Sequence, residues 1–425
     1  MSNGYSGKND IKINNLKTLI NQYTESQLQD DALFQLATTY TTVNNSKKAQ
    51  ESFNNLLSKH PKSSYTPNVL LRKGLLYYSN NNSQQAINTY KKLVANHPNS
   101  KEAKQAVTNV KNVYIDIGKV DEYAAWVKTI SFANVTDAEL DNATYQSAEN
   151  KFLENNSQKA IEGFNKYLTS FPTGINTLKA HFYLAKSYNN SSLFEKAVPH
   201  YSYVISQNKS EFTEESLTKL AEIHLNKEDW NNGMQILEQL EKEANYPHNI
   251  IFAESNLMKG YYKLNDYSNA ILYAEKVLSR GKVDTDIIED AKVIMARAAF
   301  KTNDFLTAEE FYNEISKNAT GELKAESLYY NAFFLYENKE FEVSNKAIQN
   351  LIANYSSYKY WGVKSYVIMA KNYYALKDAY QATYILENII KNFPQYEDII
   401  EEAKNELLSI KNKEAKTNES INTQN

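Results

Sequence analysis

The chain repeats itself, and that constrains its fold more than any other feature. Residues 30–61, DDALFQLATTYTTVNNSKKAQESFNNLLSKHP, place Leu33, Leu36, Ala37 and Tyr40 at the spacing of one α-helical face. Ala49, Phe53 and Leu56 form a second stripe beyond the polar hinge Asn44-Asn45-Ser46. Pro61 closes the unit because proline cannot donate the next backbone hydrogen bond. The constellation returns 37 residues later as Leu70, Gly74, Tyr77, Ala86, Tyr90, Leu93 and Pro98. Two short amphipathic helices cannot bury both of their apolar faces alone, so each unit requires neighbours.

The pattern continues in phase for ten units. The third is the weakest: Val107, Val110, Tyr114 and Ile130 keep the register, but Tyr123 stands where the second helix carries alanine and Trp126 follows, which predicts rearranged packing. FANVTDAELDN (132–142) reads as a long connection and a candidate bend. Ala148, Ala160 and Phe164 restore the pattern, Ala185, Tyr188, Ala197 and Tyr201 repeat it, and Ala370, Tyr373, Ala382, Leu386 and Pro394 close it. The expected division is three repeats over 30–131, seven over 143–395, a capping helix over 396–412 and a disordered tail over 413–425. Residues 1–29 offer a second-type helix (Ile13, Leu16, Leu19, Ile20) with no first helix before it. That predicts a chain beginning inside a repeat, with a single-helix cap as the alternative and self-association through the open face as a consequence.

Small residues sit where two helix backbones must approach, and Tyr or Phe fills the adjoining gap. This alternation, with its closing proline, resembles the tetratricopeptide repeat (TPR), although the period of 36–38 exceeds the family's length of about 34. The extra residues read as longer turns, such as 62–66. The resemblance implies an all-α, right-handed superhelical solenoid of about ten helix-turn-helix repeats plus terminal helices, acting as a non-enzymatic scaffold for protein or peptide partners. KAIEGFNKYLTSFPTG (159–174) followed by AHFYLAKSY (180–188) resembles bacterial envelope TPR proteins of the outer-membrane-assembly lipoprotein and division-coordinator types, as in the Bacteroidota. That implies a periplasmic or outer-membrane-associated setting. MSNGYSGKND has no apolar core for a signal peptide, so the cytoplasm is the alternative.

Net charge is −3 and only three arginines occur (Arg72, Arg280, Arg297), against the basic wall that a nucleic-acid binder or an RNA-reading helical repeat needs. Without cysteine there are no disulfides or thiolate metal sites. No run of about 18 apolar residues marks a membrane span. The wealth of Asn, Lys, Ile and Tyr reads as genomic base composition rather than chemistry. His60 and His97 precede closing prolines as turn residues, and His181 and His224 read as part-buried packing residues. No zinc-protease spacing or glycine-rich phosphate loop occurs, so no catalytic, cofactor or metal residues are expected.

The surface remains. In the family's superhelix the concave wall is built from first-helix positions outside the inter-helix core. The resemblance places Phe34, Tyr78, Tyr145, Phe182, Phe252, Tyr262, Tyr329, Phe333, Tyr336 and Tyr374 on that wall, with Lys186, Lys259, Arg297 and Lys371 at one recurring inner position. Aromatic faces with interspersed cations suit an extended or helical peptide. The competing reading is that half of these rings pack the next repeat. Phe34 and Thr38 stand where chaperone-clamping relatives carry Lys and Asn, so that activity is not expected. A docking arm of a larger multidomain protein is the alternative function.

Overall fold

The structure, a computed structural model, describes residues 7–422, with side chains described to residue 416. Among these residues there are 22 α-helices and no strand, so the chain is an all-α array of helix pairs. It divides into two compact units, residues 1–216 and 217–425. In chain order the helices are α1 (Asn9–Gln22), α2 (Gln29–Thr42), α3 (Ser46–Lys59), α4 (Thr66–Ser79), α5 (Ser83–Asn96), α6 (Lys101–Asp116), α7 (Val120–Val127), α8 (Asp137–Leu153), α9 (Ser157–Ser170), α10 (Thr177–Asn190) and α11 (Phe194–Ser206). They continue as α12 (Thr213–Leu225), α13 (Trp230–Glu243), α14 (Pro247–Lys263), α15 (Tyr267–Ser279), α16 (Thr285–Lys301), α17 (Phe305–Asn318), α18 (Gly321–Glu337), α19 (Phe341–Asn354), α20 (Lys359–Ala375), α21 (Ala379–Asn392) and α22 (Glu397–Asn422). From α2 to α21 even numbers are first helices of a repeat and odd numbers second helices.

One turn recurs between first and second helix. Its pivot residue lies in the left-handed region: Asn44, Asn81, Gly118, Asn155, Ser192, Glu228, Asn265, Asn303, Lys339 and Lys377, with φ between 55° and 76°. The next N–H then reaches back to the first helix and closes a Schellman-type turn, from Asn45 to Tyr40 O at 2.8 Å through to Asp378 to Tyr373 O at 2.9 Å. The residue after the pivot caps the second helix. Asn45, Asn82, Asn156, Asp229, Asp266, Asp304 and Asp378 each accept the N–H three residues on. Part of the asparagine wealth is therefore turn chemistry, because Asn tolerates the left-handed region and caps helices. Base composition does not account for those positions.

Counted from the pivot, the small residues fall into register. Seven places before it stand Ala37, Gly74, Ala148, Ala185, Ala221, Ala296, Ala332 and Ala370, with Lys111 and Met258 as exceptions. Five places after it stand Ala49, Ala86, Ala160, Ala197, Gly233, Ala270, Ala308, Ser344 and Ala382, all buried, with Tyr123 as the exception. The contact is tight: a Cβ on Gly74 would clash with the edge of the Tyr90 ring, and one on Gly163 would lie 2.8 Å from Ala148 Cβ. The third repeat breaks both slots, and its second helix, α7, has eight residues where the others have 13 or 14.

Two expected boundaries move. The connection read at 132–142 ends at Thr136, because Thr136 and Glu139 form a reciprocal capping box that starts α8. The tail expected to be disordered from 413 continues α22 to Asn422. Its Ala, Glu and Lys favour helix, Lys411 pairs with Glu387 at 2.9 Å, and Glu414 accepts from the Tyr374 hydroxyl at 3.1 Å. Residues 423–425 lie outside the described residues.

Gly74→Ala should lower the unfolding free energy by about 1–3 kcal/mol through overpacking against Tyr90, although the same change at an exposed helix site stabilises by about 1 kcal/mol. Ala49→Leu and Ala382→Leu should cost about as much. Urea denaturation checks all three, and unchanged midpoints would show the register to be wrong.

Candidate functional site

The recurring cations occupy the place six residues before the pivot, and the structure shows what they hold. Lys186 pairs with Glu215 at 2.8 Å, Lys259 with Asp290 at 2.5 Å, Arg297 with Glu326 at 2.6 Å and Lys371 with Glu402 at 2.9 Å. Each acid sits on the first helix of the following repeat or, for Glu402, on α22. Glu215, Asp290 and Glu326 all lie thirteen places before their own pivot. The cations read as ligand contacts are therefore struts between successive first helices. Glu149 and Lys179 hold the corresponding two places with the signs exchanged.

The rungs differ in burial, and burial decides their worth. Glu326 is 4 % exposed and is gripped by both Arg297 Nε and Nη2, at 2.8 and 2.6 Å, and by the Tyr312 hydroxyl at 2.9 Å. That grip holds the Arg297 guanidinium protonated against its burial, while burial, Tyr330 and Glu326 push the Tyr312 phenol far up. Burial works to lower the Lys371 ammonium, but Glu402 outweighs it and the pKa ends above the usual lysine value. A second bidentate grip joins Arg280 to Glu254, a carboxylate 1 % exposed. Guanidinium suits such sites because its planar fork matches a carboxylate.

The aromatic residues separate into three sets. Tyr145, Phe182 and Tyr329 are buried, which corrects their placement on an open wall. They lie ten places before the pivot, as does Phe34, and at Phe34, Phe182 and Tyr329 a ring of the next repeat covers that position. Phe34 stacks on Tyr65 at 4.7 Å, Phe182 meets Phe212 at 4.6 Å and Tyr329 meets Trp361 at 5.4 Å. Each partner ring stands sixteen places before the following pivot, so these are ring clasps between repeats. Tyr145 packs on Tyr167 at 5.8 Å and bonds Glu149 at 2.7 Å; burial first, then that bond, raises its phenol.

The second set, three places before the pivot, is half-buried at the turn edge: Tyr78, Tyr262, Tyr336 and Tyr374. Tyr78 donates to Asp116, while Tyr262 and Tyr336 lean on Tyr267 and Phe341 at 5.7 and 5.9 Å. Phe252 and Phe333 make up the third set, also half-buried, and Phe333 lies 5.1 Å from Phe300 and 5.5 Å from Phe305. Within residues 217–425 the structure thus places Tyr262, Phe333, Tyr336 and Tyr374 on the first helices α14, α18 and α20 with part of each ring open to solvent. Sequence reasoning missed Tyr65, Phe212, Trp361, Phe300 and Phe305. The signal for the first three is a ring 30 to 32 residues beyond an earlier one.

Among the described residues no group of three or more His, Cys, Asp or Glu is placed to hold a metal ion. His60 and His97 end α3 and α5. His224 Nδ1 meets Asp229 at 2.9 Å in its turn. His181 and His200 share a hydrogen bond at 2.8 Å between their Nδ1 atoms, with His181 stacked on Tyr203 at 3.8 Å. Burial, then His200, lowers His181 to about 4, and burial lowers His200.

Two predictions come from these pairs. Arg297→Met should cost about 3–5 kcal/mol because Glu326 stays buried without its partner; Lys371→Met, facing the half-exposed Glu402, should cost about 1 kcal/mol or less. Equal losses in denaturant titrations would contradict the burial ranking. His181 has a folded pKa below its unfolded value near 6.5, so its contribution is complete above about 6.5 and is lost as pH falls towards 4. The drop in melting temperature from pH 7 to pH 4.5 should be smaller in His181→Phe than in the parent.

Residues 31–63, 68–100 and 364–396 match the family model of the tetratricopeptide repeat. No curated protein sequence matches the chain. Among solved structures, a tetratricopeptide repeat protein from Parabacteroides merdae ATCC 43184 is similar at 16 % identity with a TM-score of 0.26, covering 63 % of this chain and 98 % of that one. Yeast Tom70 is similar at 14 % identity with a TM-score of 0.32, covering 97 % and 94 %. Three segments of this all-α chain, two in residues 1–216 and one in residues 217–425, are thus tetratricopeptide repeats by their match to the family model.

Proposed function

We propose that this chain is a non-enzymatic scaffold that holds a protein or peptide partner along its first-helix face, on the concave side of a superhelix. The observation that carries the reading is the set of half-exposed rings on the first helices α14, α18 and α20, Tyr262, Phe333, Tyr336 and Tyr374, set between ion-paired rungs that stiffen the face. Rigid, partly solvated aromatic groups supply contact area at small entropic cost. Tetratricopeptide repeats generally serve protein–protein association, which agrees with the reading. The setting we propose is bacterial envelope assembly, in the periplasm or at the outer membrane, on the resemblance carried by residues 159–188. No helix among the described residues is long and apolar enough to cross a membrane.

The double variant Phe333→Ala, Tyr336→Ala should retain its circular dichroism spectrum and bind partners captured from envelope fractions at least about tenfold more weakly, a loss of about 1.4 kcal/mol or more. Equal affinity for the same partners would remove this face from the reading. Recovery of the chain in the soluble cytosolic fraction would overturn the envelope setting alone.

A further inference from the structure

The ladder of rungs lapses twice inside residues 217–425: between the sixth and seventh repeats the two places hold Phe252 and a Glu222 that pairs with Lys219 at 2.8 Å, whereas the second lapse leaves a cation without an acid. Lys259–Asp290, Arg297–Glu326 and Lys371–Glu402 are made, but the pair of places between the ninth and tenth repeats holds Phe333 and Lys364. Lys364 stands thirteen places before its pivot, where Glu215, Asp290 and Glu326 stand in their repeats. Among the described residues it has no carboxylate within ion-pair distance. Its ammonium donates to the Tyr360 hydroxyl at 3.1 Å and lies 5.6 Å from the Tyr329 ring, 5.3 Å from Tyr360 and 5.9 Å from Trp361. The neighbouring acids are engaged: Asp398 accepts from Tyr360 at 2.7 Å and Glu402 from Lys371 at 2.9 Å. Lys364 is half-exposed, so a group from solvent can reach it.

We propose that this gap receives the side-chain carboxylate of one Asp or Glu in a bound peptide, with an apolar neighbour of that residue resting on Phe333. The inference deepens the scaffold reading and rests on it. The arriving carboxylate completes the missing rung, meeting an ammonium that the rings leave partly desolvated and that is therefore worth more than a solvated surface charge. Half-exposed rings continue on either side, at Tyr262 and at Tyr336 and Tyr374, so a chain passes through the position instead of ending there; that selects a side chain over a terminal carboxylate. The cations at Lys259, Arg297 and Lys371 are each matched by an acid, so the strip offers no run of free basic groups to a polyanion such as a nucleic acid. The matching segment carries one acid among apolar or basic residues.

The test is selection of a random peptide display library on the full chain and on Lys364→Arg, Lys364→Gln and Lys364→Glu, each checked by circular dichroism and melting. The parent and Lys364→Arg should enrich peptides with one Asp or Glu beside an apolar residue. Lys364→Gln should lose the acid, and Lys364→Glu should exchange it for Lys or Arg. A synthetic peptide from the parent selection should bind Lys364→Gln about tenfold more weakly by fluorescence anisotropy, as for loss of one charge-assisted hydrogen bond. Enriched peptides without an acid, or an acid preference that survives in Lys364→Gln and Lys364→Glu, would overturn this inference and leave the scaffold reading standing. No enrichment on the parent would overturn both.

Discussion

Ten times the chain reverses on a single left-handed residue, and every other regularity is measured from it. A positive φ is costly for a residue with a Cβ, about 1–2 kcal/mol per residue. It is met here by Asn or Gly at six pivots and by Ser, Glu or Lys at four. The cost is offset by the returning N–H bond, by the cap on the second helix and by what the turn sets up. With the pivot fixed, the small residues seven before and five after it face each other, and the two helix axes can close on a Tyr or Phe. A pivot displaced by one residue would turn each helix by about 100° and bring a large side chain into the small slot.

Between repeats different forces act. The ring clasps Phe34–Tyr65, Phe182–Phe212 and Tyr329–Trp361 and the cation–carboxylate rungs both join a first helix to the beginning of the next. The rings contribute buried area and a preferred geometry, and the rungs fix which carboxylate meets which cation. Because Glu326 and Glu254 are buried, their arginines act through the cost of leaving them unpaired more than through net attraction. Two of the chain's three arginines are held in such grips, so their scarcity marks places where a planar, always-charged donor is required.

Much of the fold was legible because the information is local and repeated. Ala37, Tyr40, Ala49 and Phe53 announce a helix pair, and their return announces an array. What escaped depends on relations across repeats or on conformations that composition hides. The cations at Lys186, Lys259, Arg297 and Lys371 were visible as a series, but their acids lie 29 to 31 residues on, so the struts looked like free charges. Tyr145, Phe182 and Tyr329 read as wall residues on a helical wheel because the wheel sees one helix, whereas the ring that covers Phe182 or Tyr329 arrives with the next repeat. The Thr136–Glu139 box was present in the letters and decides where α8 begins. The tail needed contacts with Tyr374 and Glu387, which no property of its own sequence supplies.

These relations change how specificity on such a surface has to be understood. A recurring cation that already holds a carboxylate offers a partner little, since taking it requires breaking a rung and, at Arg297, exposing a buried acid. The rungs therefore stiffen the face and keep it discreetly neutral, and discrimination falls to the places where the pattern lapses. Between the ninth and tenth repeats the lapse sets an aromatic residue, Phe333, and a cation without an ion pair, Lys364, where three other junctions of residues 217–425 carry a matched pair. The same logic gives repeat arrays a general economy of recognition: regularity builds the platform, and an irregularity that leaves one charge unmatched writes the address on it.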